Sequence, residues 1–232
     1  MLGRAAKALG QRLFGGNCFL CHGAAGAGLL CAACDADLPR LDGAGCPRCA
    51  LASPASAVCG RCLAQPPQYD ATIAALAYAF PADALVQALK FRGELAVAPL
   101  LAQVLCERIG RAAPVDWLIP VPISRGRLRE RGYNQSLEIA RHVARAQRVE
   151  LAPQLCRRVR DTAAQTDLPW AARAANVRGA FESCGALTGA RVALLDDVMT
   201  TGATLGEIAA TLKRAGASSV VNWVVARTLP PA

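Results

Sequence analysis

Hydrophobic and polar positions along the chain follow two regimes. From residue 71 onward, apolar runs of strand length alternate with stretches whose apolar positions recur at helical spacing. ATIAALAYAF (71–80) predicts a strand, and residues 82–110 predict one or two amphipathic helices, broken near Gly93 and Pro99. DWLIPVP (116–122) reads as a short strand ending in prolines. NQSLEIARHVARAQ (134–147) carries Leu137, Ile139, Ala140 and Val143 on one helical face. A polar stretch without clear periodicity (157–180) precedes a strand at RVALLDD (191–197), a helix at TLGEIAATLKRAG (204–216) and a strand at SSVVNWVVAR (218–227). Strands alternating with helices predict an α/β domain built on a parallel sheet. Before residue 70 no such period exists, and the Pro-rich segment LAQPPQYD (63–70) marks the change. The expected division is therefore 1–68 and 69–232.

The 232 residues suffice for one good-sized domain and a small one. Hydrophobic residues make up 53% and aromatics only 5%, so the core must be mostly Ala, Leu and Val. Net charge is +9, and only Lys7, Lys90 and Lys213 are lysines. Almost all positive charge is thus guanidinium, which suits a phosphate-rich partner without choosing among nucleic acid, nucleotide and membrane surface. No stretch approaches the apolar length of a transmembrane helix, so membrane insertion is not expected. Arg4, Lys7 and Arg12 interrupt the first apolar stretch, which predicts a short amphipathic helix rather than a signal peptide and a cytoplasmic location.

Eight of the 11 cysteines form four C-x-x-C pairs: Cys18/Cys21, Cys31/Cys34, Cys46/Cys49 and Cys59/Cys62. Nine residues separate the first pair from the second and the third from the fourth, and eleven lie between the middle two. Two thiolates three positions apart in a tight turn can face one ion, and two such turns close a tetrahedral shell. Two equal modules in tandem predict a double zinc ribbon with two structural zinc ions. An interleaved arrangement, first pair with third, satisfies the same count. Disulfides need an oxidising compartment, and CFLCH as a haem attachment site would leave three pairs unexplained. His22 reads as a loop residue. Cys106, Cys156 and Cys184 read as small buried residues. Zinc loss should unfold residues 18–62 and leave the α/β domain with its own core.

The stretch LLDDVMTTGATL (194–205) raises a different question. Two adjacent acids follow a buried run, and Thr200, Thr201, Gly202, Ala203 and Thr204 stand behind them. In parallel sheets ligands bind where strands end and the next helices begin. A Gly/Thr loop at a helix N-terminus builds a cradle for one phosphate. The acids would repel that phosphate; they suit hydroxyl groups or a hydrated Mg²⁺. A phosphate on one side and a diol on the other describe a ribose 5-phosphate.

Four apolar residues (192–195), Asp196 and Asp197, Val198 and Met199, then T-T-G-x-T, resemble the phosphoribosyl pyrophosphate (PRPP) loop of type I phosphoribosyltransferases. With the Cys-rich segment, KFRG (90–93), PVPISRGRLRERGYNQS (120–136) and QTDLPWAARAANVRGAF (165–181), the whole chain is similar to the ComF family of competence-associated phosphoribosyltransferase-like proteins. The resemblance implies a type I phosphoribosyltransferase-like parallel sheet with helices on both faces, preceded by the zinc ribbons. It also implies that Asp196 and Asp197 take ribose hydroxyls. Val198, Thr200, Thr201, Gly202, Ala203 and Thr204 would take the 5-phosphate of PRPP, with Mg²⁺. Arg127 and Arg131 would face pyrophosphate from a loop, and Tyr133, Asn134 and Gln135 would open the next helix, Asn134 as its cap. Gln165, Arg173 and Asn176 would belong to a hood that excludes water from an oxocarbenium-like centre.

Three functions fit these residues. The first is a phosphoribosyltransferase acting on an unknown acceptor. The second is a non-catalytic protein of DNA uptake or DNA use, binding single-stranded DNA or a competence helicase. The third is a regulator that senses PRPP.

Overall fold

The structure, a computed structural model, describes residues 16–43, 45–110, 114–160 and 177–230. Gln165, Arg173 and Asn176 of the expected hood lie outside the described residues, as does the expected N-terminal helix. The Cys-rich segment contains a short antiparallel pair, β1 (Gly16–Asn17) and β2 (Ala24–Gly26), and two one-turn helices, α1 (Ala32–Ala36) and α2 (Gly60–Ala64). The rest comprises β3 (Ala71–Ala77), α3 (Ala82–Phe91), α4 (Val97–Ile109), β4 (Trp117–Pro120), α5 (Arg125–Arg131), α6 (Gln135–Gln147), β5 (Glu150–Leu151), β6 (Cys156–Arg158), β7 (Phe181–Ser183), β8 (Arg191–Met199), α7 (Ala203–Arg214) and β9 (Ser219–Arg227).

Five strands form one parallel sheet in the order β3-β9-β8-β4-β5, while β6 and β7 pair antiparallel beside it. Alternate residues of β8 enter different cores, as the pleat requires. Ala193 and Leu195 join Leu118, Trp223 and Val225 under α3, α4 and α6. Val192 and Leu194 join Ile119, Val220 and Val224 under α7. Helices therefore cover both faces, and the central strands are apolar on both sides for that reason.

Among the described residues α7 is the one long helix on the second face where the first has three, and cysteines pack beside it. Cys46, Cys49 and Cys62 pack with Met199, Leu205 and Ile208. Cys18, Leu30 and Leu38 complete the first face. Pro39, Leu41 and Pro47 also cover the sheet edge at β3: Leu41 donates its N–H to Ala75 O, Ala77 to Pro39 O, and Thr72 to Pro47 O. A parallel edge that would otherwise present unpaired N–H and C=O groups is thereby closed.

The chain between 82 and 110 is two helices, broken at Gly93 (φ 72°). Pro99 sits in the first turn of α4, where a missing N–H costs nothing. The arginines expected in a loop stand instead on α5. Ser124 caps it by accepting from the Arg127 N–H at 3.3 Å, and Gly132 ends it in the left-handed region at φ 83°. This helix has no apolar stripe, so its caps alone define it and a search for hydrophobic period passes over it. Likewise β8 runs two residues beyond RVALLDD: it pairs with β9 through Met199, so Asp196 and Asp197 lie within the strand rather than at its end.

Candidate functional site

Each set of four thiols has sulfur atoms within 4.8 Å of one another: Cys18, Cys21, Cys31 and Cys34 in one, Cys46, Cys49, Cys59 and Cys62 in the other. The pairs are joined sequentially rather than interleaved. Cys21 Sγ lies 3.7 Å from Cys31 Sγ, and Cys49 Sγ 3.7 Å from Cys59 Sγ. A tetrahedron with Zn–S bonds near 2.3 Å has edges of about 3.8 Å, so both sets fit zinc. Their acidities tell the same story. Backbone N–H donors, Cys21 first, draw Cys18 down to about 6, and close contact with the Cys31 thiol followed by burial pushes Cys34 up. Burial opposes ionisation of Cys46, yet N–H groups of Cys59, Cys49 and Arg48 outweigh it and bring it to about 6. Burial and the neighbouring Cys49 and Cys59 push Cys62 up. Four such thiols ionise together only around a cation. These are two Cys₄ zinc-binding sites.

The second constellation lies at the carboxyl ends of β4 and β8. From β4 the chain continues toward β5 on one side, and from β8 toward β9 on the other, so a crevice opens between their outgoing loops. A cavity of about 420 Å³ occupies it, lined by residues from β8, α3, α5 and the β4–α5 loop. Asp196, Asp197, Val198, Thr200, Thr204, Arg127 and Arg131 all reach this cavity. A smaller recess of about 20 Å³ adjoins it at Thr200, Gly202, Ala203 and Thr204. Thr201 lines neither; its hydroxyl accepts the Ala203 N–H at 3.1 Å and shapes the turn.

Gly202 is the one residue the turn could hardly replace. Its φ is 83°, and a Cβ there would come within 2.6 Å of the Tyr69 hydroxyl and 2.7 Å of Met199 Cε. It stands at the start of α7 with no side chain to cap the helix, and the Thr201 hydroxyl takes the Ala203 N–H in its place.

The two acids differ. Asp196 Oδ1 accepts from the Ser136 hydroxyl and from the Asp197 N–H, each at 3.0 Å. Asp197 is 3% exposed; its Oδ1 accepts the Val198 N–H at 2.9 Å, and its Oδ2 stands 3.3 Å from Lys90 Nζ without a well-formed hydrogen bond. Burial, with the charge of Asp197 behind it, raises Asp196 well above the ordinary carboxylate range. Burial acts on Asp197 too, but the Lys90 ammonium together with the Asp196 and Val198 contacts prevails and lowers it.

Positive charge faces the acids across the cavity. Arg131 lies over the Phe91 ring at 5.6 Å from its centre and donates to Gln135 Oε1, which aims the guanidinium. Arg127, Arg158 and Glu130 complete the polar lining, and Tyr78, Phe91 and Ile123 give it apolar walls. Asn134 is the cap of α6: its Oδ1 accepts from Ser136 and Leu137 N–H groups, and its Nδ2 donates to Val121 O. Tyr133, between α5 and α6, donates its hydroxyl to Leu89 O, which ties that connection to α3.

Lys90, Ser136, Phe91 and Tyr78 escaped sequence reasoning as site residues. Lys90 left the best trace, as one of three lysines in an Arg-rich chain and part of KFRG. Nothing local in the sequence pairs it with Asp197.

A double zinc ribbon family matches residues 9–63. The DNA utilization protein YhgH of Salmonella typhi is 37% identical over 158 residues, which is 66% of this chain and 70% of that protein. The protein of the same name from Escherichia coli K12 is 36% identical over 159 residues, with the same coverage. Competence protein F of Haemophilus influenzae is 30% identical over 168 residues, 68% of this chain and 73% of that protein. Among solved structures, a purine phosphoribosyltransferase from Pyrococcus horikoshii is 20% identical, covering 68% of this chain and 88% of that one, with a TM-score of 0.31. The allosteric regulatory enzyme of purine biosynthesis is 24% identical, covering 55% and 25%, with a TM-score of 0.38. Scores at this level carry no argument about the site. No helix among the described residues is long and apolar enough to cross a membrane.

Proposed function

The chain belongs to the ComF family, and from that premise we propose that it binds PRPP, with Mg²⁺, in the crevice between β4 and β8 and serves DNA uptake or the use of external DNA. One observation carries this reading: Thr200 and Thr204 beside the N-terminus of α7, two acids whose acidities shift in opposite directions and two arginines line one 420 Å³ cavity, with Gly202 and Ala203 in the recess that adjoins it. Val198, Thr200, Gly202, Ala203 and Thr204 hold the 5-phosphate where the recess meets the cavity, Thr201 shapes the turn that presents them, and backbone N–H groups of the turn carry most of that work. Asp196 and Asp197 hold the ribose hydroxyls and the hydrated Mg²⁺; the cation supplies charge neutralisation for pyrophosphate. Lys90 keeps Asp197 ionised. Arg127 and Arg131 face pyrophosphate, as a multiply charged leaving group requires. The resemblance assigns Gln165 and Arg173, which lie outside the described residues, to a segment that covers the site. The division of the chain at 1–68 and 69–232 and a cytoplasmic setting complete the proposal.

Transfer of the phosphoribosyl group to an acceptor is the finer form of this reading. Titration calorimetry with Mg²⁺ and PRPP tests the binding. Replacing Asp196 and Asp197 together by Asn should abolish it without lowering zinc content, and a double variant binding like wild type would remove the acids from the site. Pyrophosphate release across nitrogenous acceptors then separates transfer from sensing. A second reading rests on the names of the relatives and the charge of +9: direct binding of single-stranded DNA or of a competence helicase. Fluorescence anisotropy with a labelled oligonucleotide decides it, since a DNA-binding surface requires an affinity that falls steeply with salt.

A further inference from the structure

The second zinc module is joined to the Thr/Gly turn by two guanidinium groups. Arg227, the last residue of β9, is 0% exposed. Its Nε donates to Cys49 O at 2.8 Å, and its Nη1 to Met199 O at 2.9 Å, to Thr228 O at 2.8 Å and to Thr200 O. Arg61, between the ligands Cys59 and Cys62, donates from Nη2 to Thr201 O at 3.0 Å. A guanidinium taken wholly out of water needs an anion nearby. All of Arg227's hydrogen-bond partners are carbonyls, and its Nη2 has none. A Zn²⁺ ion with four thiolates carries a formal charge of about −2, so the second metal centre, whose Cys49 carbonyl Arg227 touches, is the compensating anion.

The carbonyls that these arginines hold belong to three successive peptide units, 199–200, 200–201 and 201–202. The only cis peptide among the described residues is Phe80–Pro81, so these units are trans. In a trans unit C=O and N–H point opposite ways. Carbonyls drawn toward the zinc module therefore turn the N–H groups of Thr200, Thr201 and Gly202 away from it. Successive N–H groups facing one side form the concave backbone arrangement that takes anions.

We propose that Arg227 and Arg61 are positioning residues that fix Thr200–Gly202 in its anion-binding conformation, and that the second zinc centre controls the turn through them. The proposal rests on the reading above that this turn receives a phosphate. It makes the two metal centres unequal: the second is required for ligand binding and the first is not.

The test uses the full-length, zinc-loaded protein with Arg61→Ala, Arg227→Lys and, as a control on the first module, Arg40→Ala. Three quantities are measured: zinc content with thermal melting, affinity for Mg²⁺·PRPP, and ligand-free amide exchange across residues 198–206. Arg61 is exposed, so Arg61→Ala should keep both zinc ions and melt as wild type does. It should weaken PRPP binding by roughly tenfold, the usual result of losing a charged hydrogen bond, and speed exchange in the turn alone. Arg227→Lys keeps the charge but loses the fork, and it should fall at least as far. Arg40→Ala should move neither. Arg61→Ala and Arg227→Lys variants with wild-type affinity and wild-type exchange would overturn the proposal. If Arg227→Lys does not fold, Arg61→Ala decides. If the wild-type protein ignores PRPP, the phosphate reading fails separately, and amide exchange alone judges the latch, with unchanged exchange overturning it.

Discussion

The two zinc modules repeat the same cysteine spacing, yet they meet different neighbours. The first sets Cys18, Leu30 and Leu38 into the core beneath α3, α4 and α6. Its polar contacts run to those helices: Arg92, at the end of α3, lies over Phe19, and Arg40 reaches Glu107 of α4 at 4.0 Å while also pairing with Asp35. The second sets Cys46, Cys49 and Cys62 beside α7 and grips the turn that precedes it. A ligand set therefore specifies that a metal binds, while the residues between the ligands specify what the metal supports. It also follows that the modules are not a detachable appendage. Both contribute to the cores of the α/β domain, so zinc loss should reach beyond residues 18–62, contrary to the expectation drawn from spacing alone.

The largest effects should come from the metals. Cys59→Ser should lower zinc toward one ion per chain and abolish Mg²⁺·PRPP binding, whereas Cys21→Ser, at an exposed ligand of the first module, should lose a comparable amount of zinc and keep most of that affinity. Metal analysis with calorimetry on both variants checks this, and equal losses of binding would erase the distinction. Next comes the site itself. If the chain transfers a ribosyl group, Arg131→Ala should cost about 2–4 kcal/mol in the chemical step and less in PRPP binding. Arg131→Lys should rescue poorly, because a point charge cannot form the fork. Steady-state rates compared with calorimetry provide the readout.

Smaller effects sharpen the same contrast. Gly202→Ala should destabilise by about 1–3 kcal/mol, since it combines a positive φ with a collision against Tyr69 and Met199. Thermal melting measures it, and pairing the change with Tyr69→Phe should recover part of the loss, since the hydroxyl is the nearest obstacle. Arg40→Ala should be smallest, within about 1 kcal/mol in denaturant unfolding, because its ion pairs are partly exposed.

The sequence exposes those parts of the molecule whose chemistry is local. C-x-x-C turns announce ligands because two thiolates must leave one turn together. LLDDVMTTGATL announces a cradle because a glycine, hydroxyls and acids have to follow a buried strand in that order. Alternating apolar periods foretell the parallel sheet. Helix α5 was hidden although Ser124 and Gly132 mark its ends, because a short polar helix has no apolar stripe to reveal. Strand β8 extends two residues past the expected end: charge inside a strand reads as its end, and here Lys90 beside Asp197 and Ser136 on Asp196 make such burial tolerable.

By itself the sequence determined the eight metal ligands, the parallel α/β order and the composition of the turn, all set by neighbours a few positions apart, while the fold decided which cysteine pairs share an ion. The tertiary structure alone decided what joins them. Arg227 lies 178 positions from Cys49 and holds its carbonyl; Ser136 lies 60 positions from Asp196 and holds its carboxylate. Contacts of that separation depend on which strands lie side by side and which face each module covers. Those are outcomes of packing two cores at once, and no local spacing encodes them.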